Sequence, residues 1–148
     1  MPHITAPDGT RLFYLDEGEG TPILCLSGLT RTHKDFQYAL PALDGYRVIR
    51  MDYRGRGASD WADHASYTIP QEAQDALQLL DHLGISQVGI LGTSRGGLIA
   101  MGLGLAARDR LMGVCLNDIG PELATGGLDN IMVYLGRKPS AKTIEVAA

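Results

Sequence analysis

Val88-Gly-Ile-Leu-Gly-Thr-Ser94-Arg-Gly-Gly97 is the stretch on which the fold turns, together with the apolar run Leu98–Ala107 behind it. Val88 to Leu91 is short, apolar and followed by Gly92, the pattern of a strand covered on both faces. Gly92 through Gly97 predicts a tight turn out of that strand. The run that follows is apolar on nearly every side, and a helix of that kind belongs in the centre of a molecule. It is too short and too rich in glycine to span a bilayer.

The same alternation extends in both directions. Thr10 to Leu15 alternates weakly behind the turn pair Asp8-Gly9 and predicts an edge strand of a hairpin. Pro22 to Leu26 predicts a buried strand ending at Ser27-Gly28, and a modest helix is expected from about Thr32, with Phe36, Leu40 and Leu43 on one face. Tyr46 to Met51 is the next strand, and it runs into the tight loop Asp52-Tyr-Arg-Gly-Arg-Gly-Ala-Ser59. Thr68-Ile-Pro-Gln71 starts a helix with a threonine cap, a first-turn proline and a glutamine three residues on. Ala73, Ala76, Leu77, Leu80 and Leu83 continue it at helical spacing, and Gly84 is placed to end it. Leu111 to Leu116 gives one more strand, closed by Asn117-Asp-Ile-Gly-Pro121, and a helix is expected around Leu128 to Leu135.

Strands separated by helices imply an α/β fold with a mainly parallel sheet flanked by helices. Ligand chemistry in such sheets sits at the carboxyl ends of the strands. Ser27, Asp52, Ser94 and Asp118 all fall at those ends.

Gly92-Thr-Ser94-Arg-Gly96 matches G-x-S-x-G, a weak signal alone and a strong one between a buried strand and a buried helix. Ser94 is expected on a sharp, strained turn that lifts its hydroxyl clear of the sheet. Gly92 and Gly96, lacking Cβ atoms, would let strand and helix close around it. A serine hydroxyl becomes a nucleophile only beside a base, so a histidine held by an acid is required. The expected oxyanion hole is the backbone N–H of Arg95 together with that of Leu29, in the loop after the earlier strand. Two other readings compete. A glycine-rich strand-to-helix turn can cradle phosphate, but the P-loop lysine and the G-x-G-x-x-G spacing are missing. A serine there can also be an ordinary helix N-cap.

These residues resemble the α/β-hydrolase superfamily, in particular its small bacterial esterase-like and enol-lactonase-like members. The resemblance runs through Asp8-Gly-Thr-Arg-Leu-Phe-Tyr14, Ser27-Gly-Leu-Thr-Arg31, Asp52 to Ser59, the turn at Ser94 and Asn117-Asp-Ile-Gly-Pro121. Where that family usually begins its oxyanion loop with His-Gly, this chain has Ser27-Gly28. The resemblance implies a serine-dependent hydrolase of an acyl compound such as a carboxylic ester or lactone. It implies no metal or organic cofactor, and it makes the Asp52 turn structural. Aspartate at the position of Ser94 marks the dehalogenases and epoxide hydrolases of this fold, so the serine argues against both. The family's order is Ser, then acid, then His, yet His3, His33, His64 and His82 all precede Ser94. The chain is therefore expected to be the nucleophile-bearing N-terminal part, with the catalytic histidine missing and the core incomplete on its C-terminal side. Asp118 is either the triad acid, as in some relatives, or a loop cap. The expected boundaries are residues 1–121 for the core and 122–148 for the start of a lid. The Leu111 strand would then be an unprotected sheet edge.

Composition narrows the alternatives. At 148 residues, 45% hydrophobic and 20% charged, the chain is one ordinary globular domain. A formal net charge of −4 with scattered cations argues against the concentrated positive face that nucleic acid needs. Cys25 and Cys115 lie in apolar runs and are expected to be buried thiols; no disulfide framework or metal-ligand spacing appears. No secretory signal pattern is visible, so a soluble cytoplasmic protein without a membrane partner is expected. Two rivals to the hydrolase fragment are a non-catalytic ligand-binding module on the same scaffold and one half of a split enzyme. The second would be completed by a separate C-terminal chain; association of copies through the open sheet edge is a related possibility.

Overall fold

A computed structural model describes residues 2–117. Asp118, the 122–148 lid region and the helix expected at Leu128–Leu135 lie outside the described residues. Six strands form one sheet: β1 (His3–Thr5), β2 (Arg11–Glu17), β3 (Thr21–Leu26), β4 (Tyr46–Met51), β5 (Val88–Thr93) and β6 (Leu111–Asn117), in spatial order β1-β2-β4-β3-β5-β6. β4, β3, β5 and β6 run parallel; β1 and β2 are antiparallel additions on one side. Register aligns Leu24 with Ile49 on one side and with Ile90 on the other, so one row of apolar side chains crosses three strands.

That row is half of the main core. Successive strand residues point to opposite faces, so Leu24, Leu26, Ile49, Met51 and Ile90 face one way. They pack against α1 (Ile69–His82) and α2 (Arg95–Ala106) through Ala76, Leu79, Leu80, Ile99 and Leu103. The opposite face carries Cys25 and Val48 under Phe36, a smaller cluster with less cover. Helix α1 begins as its sequence predicts: the Thr68 hydroxyl accepts from the Gln71 N–H at 3.3 Å, and Pro70 occupies the first turn. It ends at Gly84, whose φ of +66° is the left-handed conformation that closes helices, with the Ile85 N–H donating to the Leu80 carbonyl.

Three expectations are corrected. The Thr10–Leu15 region is not an edge strand. β2 lies between β1 and β4, and the outer strand is the three-residue β1, too short to leave a pattern in the sequence. The helix expected after Thr32 is two 3-10 turns, His33–Phe36 and Leu40–Leu43. Pro41 has no N–H to donate back into a longer helix, so the segment starts afresh there. Cys115 is exposed, on β6, the outermost strand of the sheet. Cys25 is buried as expected, and burial pushes its thiol up to about 12.

Candidate active site

β5 ends in the backbone that the G-x-S-x-G spacing requires. Ser94 has φ 51° and ψ −117°, the one positive φ among the non-glycine residues described. Such a conformation costs about 1–3 kcal/mol and persists only where its surroundings enforce it. The enforcement is visible in the flanking glycines. A Cβ on Gly96 would stand 1.9 Å from the Leu26 carbonyl oxygen, and one on Gly92 would stand 2.7 Å from the Gly96 oxygen. α2 is thus seated directly on the end of β3, and the chain has no room for a gentler bend. Two backbone bonds hold the bend. The Ser94 N–H donates to Asn117 at 3.1 Å, and the Gly97 N–H donates to the Ser94 carbonyl at 2.9 Å. Ser94 occupies the N-cap position, yet its hydroxyl makes no cap hydrogen bond and the residue is exposed. An N-cap serine would spend its oxygen on the helix; this one leaves it outward.

The loop after β3 lies against this bend. A Cβ on Gly28 would be 3.7 Å from the Ser94 Cβ. The loop is tied down by the 52–59 turn: the Tyr53 hydroxyl donates to the Ser27 carbonyl at 3.1 Å, and Arg56 Nε donates to the Leu29 carbonyl. Asp52, fully buried, accepts from the backbone N–H of His33 at 2.7 Å and of Ala58 at 2.9 Å. The Asp52 turn is therefore the anchor of the loop carrying Leu29, a part that glycine spacing alone does not reveal. Burial, with the Glu72 charge second, pushes the Tyr53 phenol well above its usual range, so it stays a donor.

Arg95 has a second attachment that the sequence reading missed. Its Nε donates to Glu72 Oε2 at 2.7 Å and its guanidinium reaches the Tyr67 carbonyl at 3.3 Å. Glu72 is wholly buried on α1. One ion pair thus fixes the first turn of α2 to α1 and to the residue before the Thr68 cap. No local pattern announces it, since the partners are 23 residues apart.

The histidines are engaged elsewhere. His33 Nδ1 bonds Asp52 at 2.9 Å and 3.0 Å, His82 meets the Tyr14 hydroxyl at 3.4 Å, His3 meets the Ala58 carbonyl at 3.1 Å and His64 lies beside Asp63 at the surface. A cavity of about 640 Å3 opens at the carboxyl ends of β5 and β6, lined in part by Arg31, Phe36, Tyr38, Thr93 and Asn117. Ser94 does not line it; Thr93 faces away from α2, so this space is beside the bend and on the other side of the sheet. Among the described residues no group of three His, Cys, Asp or Glu side chains could hold a metal ion. No described helix is long and apolar enough to cross a membrane.

Residues 21–144 match the family model for the alpha/beta hydrolase fold. The chain belongs to the alpha/beta hydrolase fold family. Within that family it is 42% identical over 125 residues to the 3-hydroxybutyrate-oligomer hydrolase of Cupriavidus necator, covering 83% of this chain and 43% of that protein. A crystal structure of an alpha/beta hydrolase from Novosphingobium aromaticivorans superposes with a TM-score of 0.83 at 40% identity, over 92% of this chain and 50% of that one. The esterase EaEST of Exiguobacterium antarcticum gives a TM-score of 0.73 at 33% identity, over 77% of this chain and 43% of its own. The chain therefore spans about half the length of these alpha/beta hydrolases. These relatives carry the names of hydrolases.

Proposed function

We propose that the chain is the nucleophile-bearing part of a serine hydrolase acting on an acyl compound, a carboxylic ester or lactone. The observation that carries the reading is Ser94: a strained backbone with an exposed hydroxyl that caps nothing. Strain of this kind clusters at active sites. The similarity to an esterase and to an oligomer hydrolase points the same way.

In the proposed reaction the Ser94 oxygen adds to the substrate carbonyl carbon while its proton passes to a base. The backbone N–H groups of Arg95 and Leu29 receive the negative oxygen of the tetrahedral intermediate. Collapse breaks the ester C–O bond, the leaving alkoxide takes the proton back, and water then releases the acid from Ser94. Residues 95–148 contain no histidine. The proposal therefore places the base outside these 148 residues, on the remaining half that relatives carry or on a complementing chain. Asp118 is the proposed acid that orients it.

A fluorophosphonate probe tests the nucleophile. Slow covalent labelling of the wild-type chain and none of Ser94→Ala is expected, since loss of the base leaves only residual catalysis from the oxyanion hole. Equal labelling of both would remove Ser94 from the role. No labelling of either would favour a binding module on the same scaffold.

A further inference from the structure

We propose that the cavity between β2, the Thr32–Lys34 segment and the 52–59 turn binds a short-chain hydroxy carboxylate, with His33 Nε2 hydrogen-bonded to the ligand's hydroxyl and Lys34 meeting its carboxylate. The cavity measures about 570 Å3 and is walled by Pro2, Phe13, Leu15 and Ala58 around His33 and Lys34. That volume suits a small organic ligand, and the mixture of apolar wall with a few convergent polar groups is the usual makeup of such a site. It lies toward the antiparallel side of the sheet, away from the β6 edge, and Ser94 does not line it.

The hydrogen-bond network assigns the chemistry of His33. Both oxygens of the Asp52 carboxylate already accept backbone N–H groups, from His33 and from Ala58. A carboxylate has no proton to give, so the ring donates from Nδ1 to it. Nε2, on the edge turned away from Asp52, is then the ring nitrogen left for another partner. Among the described residues nothing donates to Nε2. The ring cannot turn to find a partner: Asp52 holds one edge and Phe13 covers its face, with centroids 4.9 Å apart at 54°. With only 14% of its side chain exposed, His33 offers a fixed, mostly desolvated ring nitrogen, and a hydroxyl, which both donates and accepts, fills that role.

The surrounding charge sets the rest of the ligand. Lys34 lines the same cavity and has no ion-pair partner among the described residues. Arg50 lies beneath, buried on β4, with its guanidinium donating to the His33 carbonyl at 3.2 Å and its Nε unpartnered among the described residues. Glu17 pairs with Arg50 and Asp52 is taken up by His33, so Lys34 is the cation left to meet an anion. A hydroxyl, a carboxylate and a short hydrocarbon body satisfy all three surfaces.

The test is an NMR titration of the 148-residue chain with 3-hydroxyhexanoate and, separately, hexanoate, following the His33 Cε1–H resonance. The hydroxy acid is expected to bind roughly five- to tenfold tighter, the worth of one net hydrogen bond. His33→Phe should erase that preference, and Lys34→Ala should weaken both acids. Because His33→Phe also removes the tie to Asp52, Leu15→Trp provides a second variant that fills the cavity from β2 and should abolish binding of both. Ser94→Ala should bind as the wild type does, which separates this site from the proposed nucleophile. Equal affinity for the two acids in the wild type, or unchanged binding in folded Leu15→Trp, would overturn the proposal.

Discussion

At Ser94 a single residue holds a conformation its own side chain disfavours. Glycine populates positive φ without the Cβ penalty, while alanine carries the same penalty as serine. Ser94→Gly should therefore be more stable than Ser94→Ala by about 1 kcal/mol, the strain released less the extra unfolded-state freedom of glycine. Urea unfolding of the two variants measures the difference. An alanine variant as stable as the glycine one would mean that the bend costs nothing. Gly96 shows why the strain cannot relax by local movement: with β3's last carbonyl 1.9 Å from where its Cβ would sit, α2 can shift only by leaving the sheet.

Between elements, buried ion pairs do the joining. Arg54, fully buried, donates to both oxygens of buried Asp75 at 2.7 Å and to Asp8 at 2.7 Å, tying the 52–59 turn to α1 and to the β1–β2 hairpin. The Arg54 guanidinium, then the Thr10 backbone N–H, holds the Asp8 carboxyl down to about 2. A carboxyl with a depressed folded-state pKa contributes stability that is present above its ordinary value near 4 and lost as pH falls through about 2. Asp8→Asn should therefore flatten the fall in stability between those two limits, followed as unfolding midpoints in urea. The effect should be small, because 47% of the Asp8 side chain faces water. If the wild type and Asp8→Asn lose stability in parallel through that window, the Arg54 contact contributes nothing in solution.

The same scale shows what a sequence discloses. β3, β5 and β6 announce themselves as apolar runs, and α1 announces itself by its cap, its spacing and Gly84. Those signals are local, carried by neighbours in the chain. The G-x-S-x-G spacing likewise carries the Ser94 bend, because the glycines are needed within two residues of it. Glu72 is the opposite case. On α1 it reads as one more polar residue among Gln71, Gln74 and Asp75, and only the arrival of Arg95 from another element makes burial of its charge tolerable. His33 is similar: its neighbours in sequence say nothing of Asp52, which sits 19 residues on at the end of β4. Pairings across elements are set by topology, and a single sequence leaves no trace of them.

For the whole molecule the open side of the sheet decides behaviour in solution. β6 hydrogen-bonds only to β5 among the described residues, and Met112 and Val114 on it are 48% and 45% exposed. Beside them a shallow cavity of about 510 Å3 is lined by Ile23, Leu43, Tyr46, Leu91, Met112 and Cys115. A parallel edge strand with apolar side chains presents both unpaired backbone groups and surface that water disfavours, and natural edges are usually blunted by charge or proline. The Leu111-Met-Gly-Val-Cys-Leu116 edge carries neither. The 148-residue chain should therefore self-associate in a concentration-dependent way, seen by sedimentation velocity. Met112→Lys combined with Val114→Lys should shift the population to monomer, since two ammonium groups on the edge strand oppose both edge pairing and burial of its exposed surface. Neither residue touches the Ser94 bend, so fluorophosphonate labelling per chain should not change. Association that persists undiminished in the double lysine variant would place the sticky surface elsewhere, with the Tyr38 and Trp61 side chains, 95% and 83% exposed, the next to substitute.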